Sequence, residues 1–197
     1  MSKGRFRKKN FKDEVIEDFE KVCVNQCISK QAVYDMAWRV SWEWTDTIGR
    51  YINCKYWSKD ALYYLTEGLT PDANGNYNKQ SKLNEKVEKY VVHEHVVPRK
   101  YFIDYIMRCY DNYKAPEIKQ LNKMFACIVS KTDNGKLNTN YKSEMPDADT
   151  LEDVKNPWQR YIESGIKEIY EVNWDGDTIK PTLINIENFN IKETSHA

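Results

Sequence analysis

The sequence has no apolar run that approaches the ~20 residues of a membrane span, and its N-terminus lacks the apolar stretch of a secretion signal. A cytoplasmic protein with no membrane partner is expected. Cysteine is scarce and odd in number: Cys23, Cys27, Cys54, Cys109 and Cys127, with no Cys-x-x-Cys pair. Cys23 and Cys27 are one helical turn apart, yet no second pair completes a tetrahedral zinc site. Buried free thiols in a reducing compartment are expected instead. The chain has no P-loop, no dinucleotide fingerprint and no G-x-S-x-G, which removes the common nucleotide-dependent and serine-hydrolase classes. It has no internal repeat.

The length of 197 residues suits one domain with appendages and can bury a core without disulfide or zinc staples. Hydrophobic residues make up 41% and charged residues 30%, a globular balance. Six Trp and fourteen Tyr read first as packing residues, with base stacking as the lesser use. Formal net charge is zero but segregated. Lys3, Arg5, Arg7, Lys8, Lys9 and Lys12 form a basic arm without an acid, expected to be flexible. From Glu144 onward twelve acids face five bases, a net of −7, so the first 143 residues carry +7. A basic body joined to an acidic tail masks the charge expected of a nucleic-acid binder.

Helical spacing runs through Val15, Ile16, Phe19, Val22, Cys23 and Cys27, and again through Val33, Tyr34, Ala37, Trp38 and Ser41. Both stripes are expected to face a core. "YWSKDALYYLTEGL" predicts a short helix capped by Ser58 and stopped by Gly68. "TPDANGNYNKQSK" predicts a loop. "KVEKYVVHEHVV" alternates as a strand does and ends at Pro98, which can open the helix of "RKYFIDYIMRCY". "PEIKQLNKMF" predicts a short helix opened by Pro116, "ACIVSK" a buried strand, and "TDNGKLN" a helix capped by Thr132. "NPWQRYIESG" predicts a helix between Pro157 and Gly165, and Lys167 to Pro181 a short strand or two.

The stretch "VVHEHVVPRKYF" holds two of the three histidines around a glutamate. An acid-His-x-x-Pro string at a strand end, then a second strand and a capped helix bearing an amide, resembles the HNH, or ββα-metal, nuclease family. The residues that carry the resemblance are "HEHVVP" (His93 to Pro98) and "CIVSKTDNGKLN" (Cys127 to Asn138), with weaker echoes in "YWSKDAL" and "EMP…WQRYIESGI". The core of the likeness covers roughly residues 90 to 140.

The resemblance implies a metal-dependent endonuclease that hydrolyses phosphodiester bonds, DNA being the expected substrate, with Mg²⁺ (or Mn²⁺) as cofactor. By resemblance His95 is the general base, and Glu94 and Asn134 are the metal ligands. The chemistry suits these types. An imidazole titrates near neutral pH, and Mg²⁺ needs few protein oxygens because it keeps water. Strand residues alternate faces, so Glu94 and His95 converge only where the strand ends or twists. If it continues, His93 shares a face with His95 and a two-imidazole site is the rival. Asn138, one turn beyond Asn134, is the rival amide. Arg99, Lys100, Lys131 and Lys136 are the expected phosphate contacts, and Arg160 an anchor for phosphate or carboxylate.

The expected fold is α+β, mostly helical with a small ββα-metal core. The expected organisation is an arm over 1–12, a helical segment over 13–82, the core over 83–143 with a helical insertion, and an acidic extension over 144–197. A non-catalytic nucleic-acid- or protein-binding module that keeps this fold is the alternative function, and a homodimer stays open.

Overall fold

Apolar residues three and four apart build two opening helices, α1 (Phe11–Asn25) and α2 (Lys30–Thr45). The chain is described here from a computed structural model that covers residues 11–45, 51, 54–67, 72–78, 87, 89–175 and 178–189. The basic arm up to residue 10 and the predicted stop at Gly68 lie outside the described residues. α1 buries Val15, Phe19, Val22 and Cys23. α2 buries Val33, Ala37, Val40, Ser41 and Trp44. The α2 stripe is therefore rotated from the expected one: Tyr34 and Trp38 stand exposed.

A strand then runs into a helix three times. β1 (Tyr56–Ser58) runs into α3 (Lys59–Thr66), with Ser58 as its N-cap. Ser58 caps the helix as expected, its Oγ accepting from Ala61 N, and the strand that it ends was not expected. β2 (Tyr77–Asn78) follows within the predicted loop. β3 (Val91–His95) leads through Val96, Val97 and Pro98 into α4 (Arg99–Asp111), whose N-cap is Pro98. α5 (Ile118–Leu121) is one turn after Pro116. β4 (Ala126–Ser130) is buried at every position and runs into α6 (Lys131–Tyr141). The cap of α6 is Ser130, whose Oγ accepts from Asp133 N at 3.0 Å, rather than Thr132. α7 (Gln159–Glu163) closes at Gly165, whose φ of 76° is a left-handed value that glycine adopts without strain. The last pair, β5 (Ile169–Asp175) and β6 (Thr178–Ile184), is longer than the expected short strands.

The strands form one six-stranded sheet in the order β2-β6-β5-β1-β4-β3. β1 is parallel to β4, and the other pairings are antiparallel. The architecture is α+β. The acidic segment after Glu144 supplies β5, which pairs with β1, and β6, which pairs with β5 and β2, so the predicted boundary at 143/144 runs through the sheet.

Alternation sets the two faces. Val91, Ala126, Ile128 and Trp57 pack with Ala61, Leu62 and Leu65 of α3 on one side. Val96, Cys127 and Val129, with the half-buried Val92, pack with Leu137 of α6 and Trp158 and Tyr161 on the other. Beyond β3, α1, α2, α4 and α5 share a separate helical core around Phe19, Trp44, Phe102 and Ile106. Four of the five cysteines are buried thiols, as expected; Cys27 is exposed.

Candidate functional site

β3 keeps its register to the last residue. Glu94 lies opposite Cys127 and His95 opposite Ala126. The strand therefore continues through the acid-His pair, and the two side chains leave on opposite faces of the sheet. His93 and His95 share the face of Val91 and Ile128, while Glu94 shares the face of Val92 and Cys127. Of the two outcomes open from the sequence, the structure has the one that juxtaposes His93 and His95. Their ring centroids are 5.9 Å apart.

On the histidine face the partner is the C-terminal turn of α2. His93 Nε2 donates to Thr45 O at 3.2 Å. His95 Nε2 lies 3.3 Å from Ser41 O and 2.9 Å from Thr45 Oγ1. A carbonyl can only accept, and the Thr45 hydroxyl donates to Trp42 O at 3.4 Å, so His95 Nε2 carries the proton in this arrangement. The Trp42 ring meets the His95 ring edge-on at 5.2 Å. Burial, with smaller contributions from His93 and Arg99, pushes the His95 imidazole down to about 3. His95 is thus neutral at physiological pH and covered by α2.

Arg99 fastens that cover. Its Nε donates to Ser41 Oγ at 2.9 Å and its Nη2 to Trp38 O at 2.5 Å. The guanidinium lies 4.8 Å from the Trp38 ring centroid and 4.1 Å from that of Trp42. Burial lowers it to about 10, so it stays charged at neutral pH. The residue expected to meet phosphate instead clamps two exposed tryptophans of α2. The spacing of Trp38 and Trp42, one turn apart, was the available signal for a stacked cation.

On the other face Glu94 meets Arg160 of α7, a side chain with no solvent exposure. Arg160 Nη2 donates to Glu94 Oε1 and to His95 O. Its Nε donates to Val96 O at 3.0 Å and its Nη1 to Tyr141 O at 3.1 Å. The Glu94 side chain keeps about a fifth of its surface in solvent. The sequence marked Arg160 as an anchor for phosphate or carboxylate, and the structure makes it the latter.

The remaining expected ligands lie on α6. Asn134 is half-buried three residues before the buried Leu137, so it is on the helix side turned toward the Glu94 face. Asn138 is exposed. α6 starts level with Tyr90, through Lys131 N to Tyr90 O at 2.9 Å, and ends where Arg160 joins Tyr141 O to His95 O. Glu94 is four strand residues, about 13 Å, from that start, and Asn134 only about 4.5 Å up the helix, roughly 9 Å short. Asp133, next to Asn134, is buried and accepts from Ser58 Oγ at 2.8 Å and Lys136 Nζ at 3.1 Å, tying α6 to the start of α3. Lys100 and Lys131 are exposed, at opposite ends of β3. Among the described residues, no group of three or more His, Cys, Asp or Glu side chains stands ready to hold a metal ion. No described helix is long and apolar enough to cross a membrane. Compared with known proteins, the chain matches no family model, no curated protein and no solved structure.

Proposed function

We propose that the chain is an HNH-like, metal-dependent endonuclease whose general base is covered by α2 in the conformation described. The observation that carries this reading is the succession of β3, antiparallel β4 and α6, with Glu94-His95-Val96-Val97-Pro98 where β3 ends. That order is what a ββα-metal core requires.

The residues do not assemble a magnesium site in the conformation described: Glu94 is paired with Arg160, and no second expected ligand stands beside it. Mg²⁺ is commonly held by one or two carboxylates, with water and substrate phosphates completing its shell. Asn134 lies too near the start of α6 to share an ion with Glu94 in this conformation. His95 serves as base only once α2 withdraws its acceptors, because Nε2 now carries a proton directed at Ser41 O. Exposure would also return its pKa toward the ordinary value and make it a stronger base. Lys100 and Lys131 remain as exposed phosphate contacts, and Lys136, paired with the buried Asp133, as a third.

A second reading is favoured by a specific observation. Glu94 and His95 face opposite sides of the sheet, and each already has protein partners. On that reading the pair is structural and the chain is a non-catalytic nucleic-acid- or protein-binding module. Plasmid nicking by the full-length protein with Mn²⁺, against EDTA, decides between them. Metal-dependent nicking that His95→Ala removes supports the nuclease. Absence of nicking across supercoiled, linear and single-stranded DNA and RNA leaves the binding module.

A further inference from the structure

Among the described residues, one pair of neighbouring strands is parallel. β1 and β4 lie side by side, and each runs straight into a helix through a serine, Ser58 and Ser130. α3 packs on the face of Trp57 and Ile128, and α6 on the face of Cys127 and Val129. The two helices thus leave adjoining strand ends on opposite faces of the sheet, and a crevice opens between their starts. Open α/β sheets bind ligands in such crevices, outside the carboxyl ends of the strands. Asp133 braces this one: its carboxylate accepts from Ser58 Oγ at 2.8 Å and its N–H donates to Ser130 Oγ at 3.0 Å.

A pocket of about 180 Å³ occupies the crevice, lined by Asp60, Tyr63, Tyr64, Ser130 and Thr132. Tyr63 and Tyr90 are exposed rings. Tyr63 meets Tyr64 edge-on at 5.7 Å, and Tyr64 stacks on Tyr90 with centroids 4.8 Å apart and planes 8° from parallel. Two exposed cations start beside Tyr90: Lys89 precedes it, and Lys131 N donates to Tyr90 O at 2.9 Å.

Volume, rings and charge choose the occupant. The volume is below the ~300–1,000 Å³ of pockets that enclose a whole small molecule, so this one grips part of a larger molecule. The rings offer stacking, which every nucleic-acid base accepts. The Asp60 carboxylate only accepts hydrogen bonds. Every base carries an N–H donor on its Watson–Crick edge, and that donor is free only where the base is unpaired. Lys89 and Lys131 are cations for neighbouring phosphates. A polysaccharide would also stack on tyrosine, but it gives the lysines nothing to neutralise.

We propose that this crevice binds one unpaired base of a single-stranded nucleic acid, stacked on Tyr63 and hydrogen-bonded to Asp60. The proposal rests on the nucleic-acid readings above and deepens them. It takes nothing from Glu94 or His95, which lie at the other end of β3.

The test uses the full-length protein without added metal and the fluorescence anisotropy of labelled oligodeoxyadenylate, single-stranded or annealed to oligothymidylate. It is run at raised salt, where phosphate contacts of the basic arm fade and stacking persists. The wild type should prefer the single strand to the duplex. Tyr63→Ala, at an exposed position, should fold and weaken the single strand on the order of 10-fold, the size of one base–aromatic stack, while Tyr63→Phe should bind as the wild type does. Asp60→Ala should weaken the single strand and leave the duplex unchanged, so that the preference narrows. Unchanged single-strand affinity in Tyr63→Ala overturns the proposal, as does equal affinity of the wild type for strand and duplex. AMP that displaces the strand at equal concentration overturns it too, because the pocket would then take a free nucleotide. A wild type that binds no single strand yet nicks duplex DNA with Mn²⁺ overturns the proposal and leaves the nuclease reading standing. One that binds the strand through Tyr63 and nicks nothing supports the proposal and leaves the binding module.

Discussion

The two faces of β3 hold their polar residues in different ways. On one face Glu94 is held by a single cation, Arg160, that arrives from α7 and is fully buried. On the other face His93 and His95 are held by backbone carbonyls and a hydroxyl at the end of α2. The first arrangement is ionic, and each partner depends on the other for its charge balance. The second rests on neutral acceptors, and its outer clamp, Arg99 between Trp38 and Trp42, lies at the surface. The difference teaches that the Glu94 side is built to stay and the histidine side is built from weaker pieces. A nuclease on this scaffold would open on the histidine side.

The largest expected effect tests the ionic face. Arg160→Met leaves Glu94 and the three carbonyls of His95, Val96 and Tyr141 without their donor. Breaking one partner of a buried pair costs about 3–5 kcal/mol. Urea unfolding of the variant should show a loss of that size; a loss below about 1 kcal/mol would mean that water replaces the guanidinium and that the face is not rigid.

Next comes the histidine face, read through activity. His95→Ala should lower metal-dependent nicking on the order of 10²-fold or more, while nucleic-acid affinity stays nearly the same. Full nicking by a folded His95→Ala would remove His95 from the mechanism. His93 would then be the imidazole to substitute, since it lies on the same face at 5.9 Å.

The third prediction uses the buried neutral imidazole. Folded His95 titrates near 3 and an unfolded histidine near 6.5. Between these values the unfolded chain binds the extra proton, so stability rises with pH across that window and is lost as pH falls through it. The slope due to this one group is at most about 1.4 kcal/mol per pH unit. Unfolding measured from pH 7 to pH 4 should therefore be steeper in the wild type than in His95→Asn. Equal slopes would show that His95 is open to solvent in solution.

Much of the fold was legible in the sequence because periodicity reports burial. The helices around Phe19 and Phe102, and the buried strand "ACIVS", follow from spacing alone. Ser130 displaced Thr132 as a cap because Ser130 also ends β4, and its hydroxyl reaches Asp133 N. β1 was missed because three residues carry no readable alternation; its place is set by partners 71 and 113 positions away, Tyr56 to Cys127 and Trp57 to Tyr170. The site was legible as a set of residue types and not as an arrangement. Whether Glu94 and His95 converge depends on β3 staying paired with β4 to its last residue, a tertiary fact. The rotation of α2 is likewise set by packing: Trp44 is buried in the helical core, and that turns Trp38 outward.

The smallest expected effect sharpens the comparison most. Arg99→Ala removes a cation from between two exposed indoles, an interaction of about 0.5–1 kcal/mol per ring at exposed sites. It also removes the bonds to Ser41 Oγ and Trp38 O. Stability should fall by about 1–2 kcal/mol, less than for Arg160→Met, because both tryptophans already reach solvent and water can replace the donors. The consequence lies in α2. With the clamp gone, its last turn is held by Val40 and Trp44 in the core and by the two imidazoles. Fraying of that turn would let water reach His95, so its pKa, followed by NMR of the ring protons, should rise from about 3 toward the ordinary histidine value. Nicking by Arg99→Ala should rise in parallel if α2 is what covers the base. A His95 pKa that does not move would show that the apolar anchor of α2, not the arginine clamp, keeps the histidine face closed. The two faces of β3 would then be equally rigid, and the binding module would be the better reading of this protein.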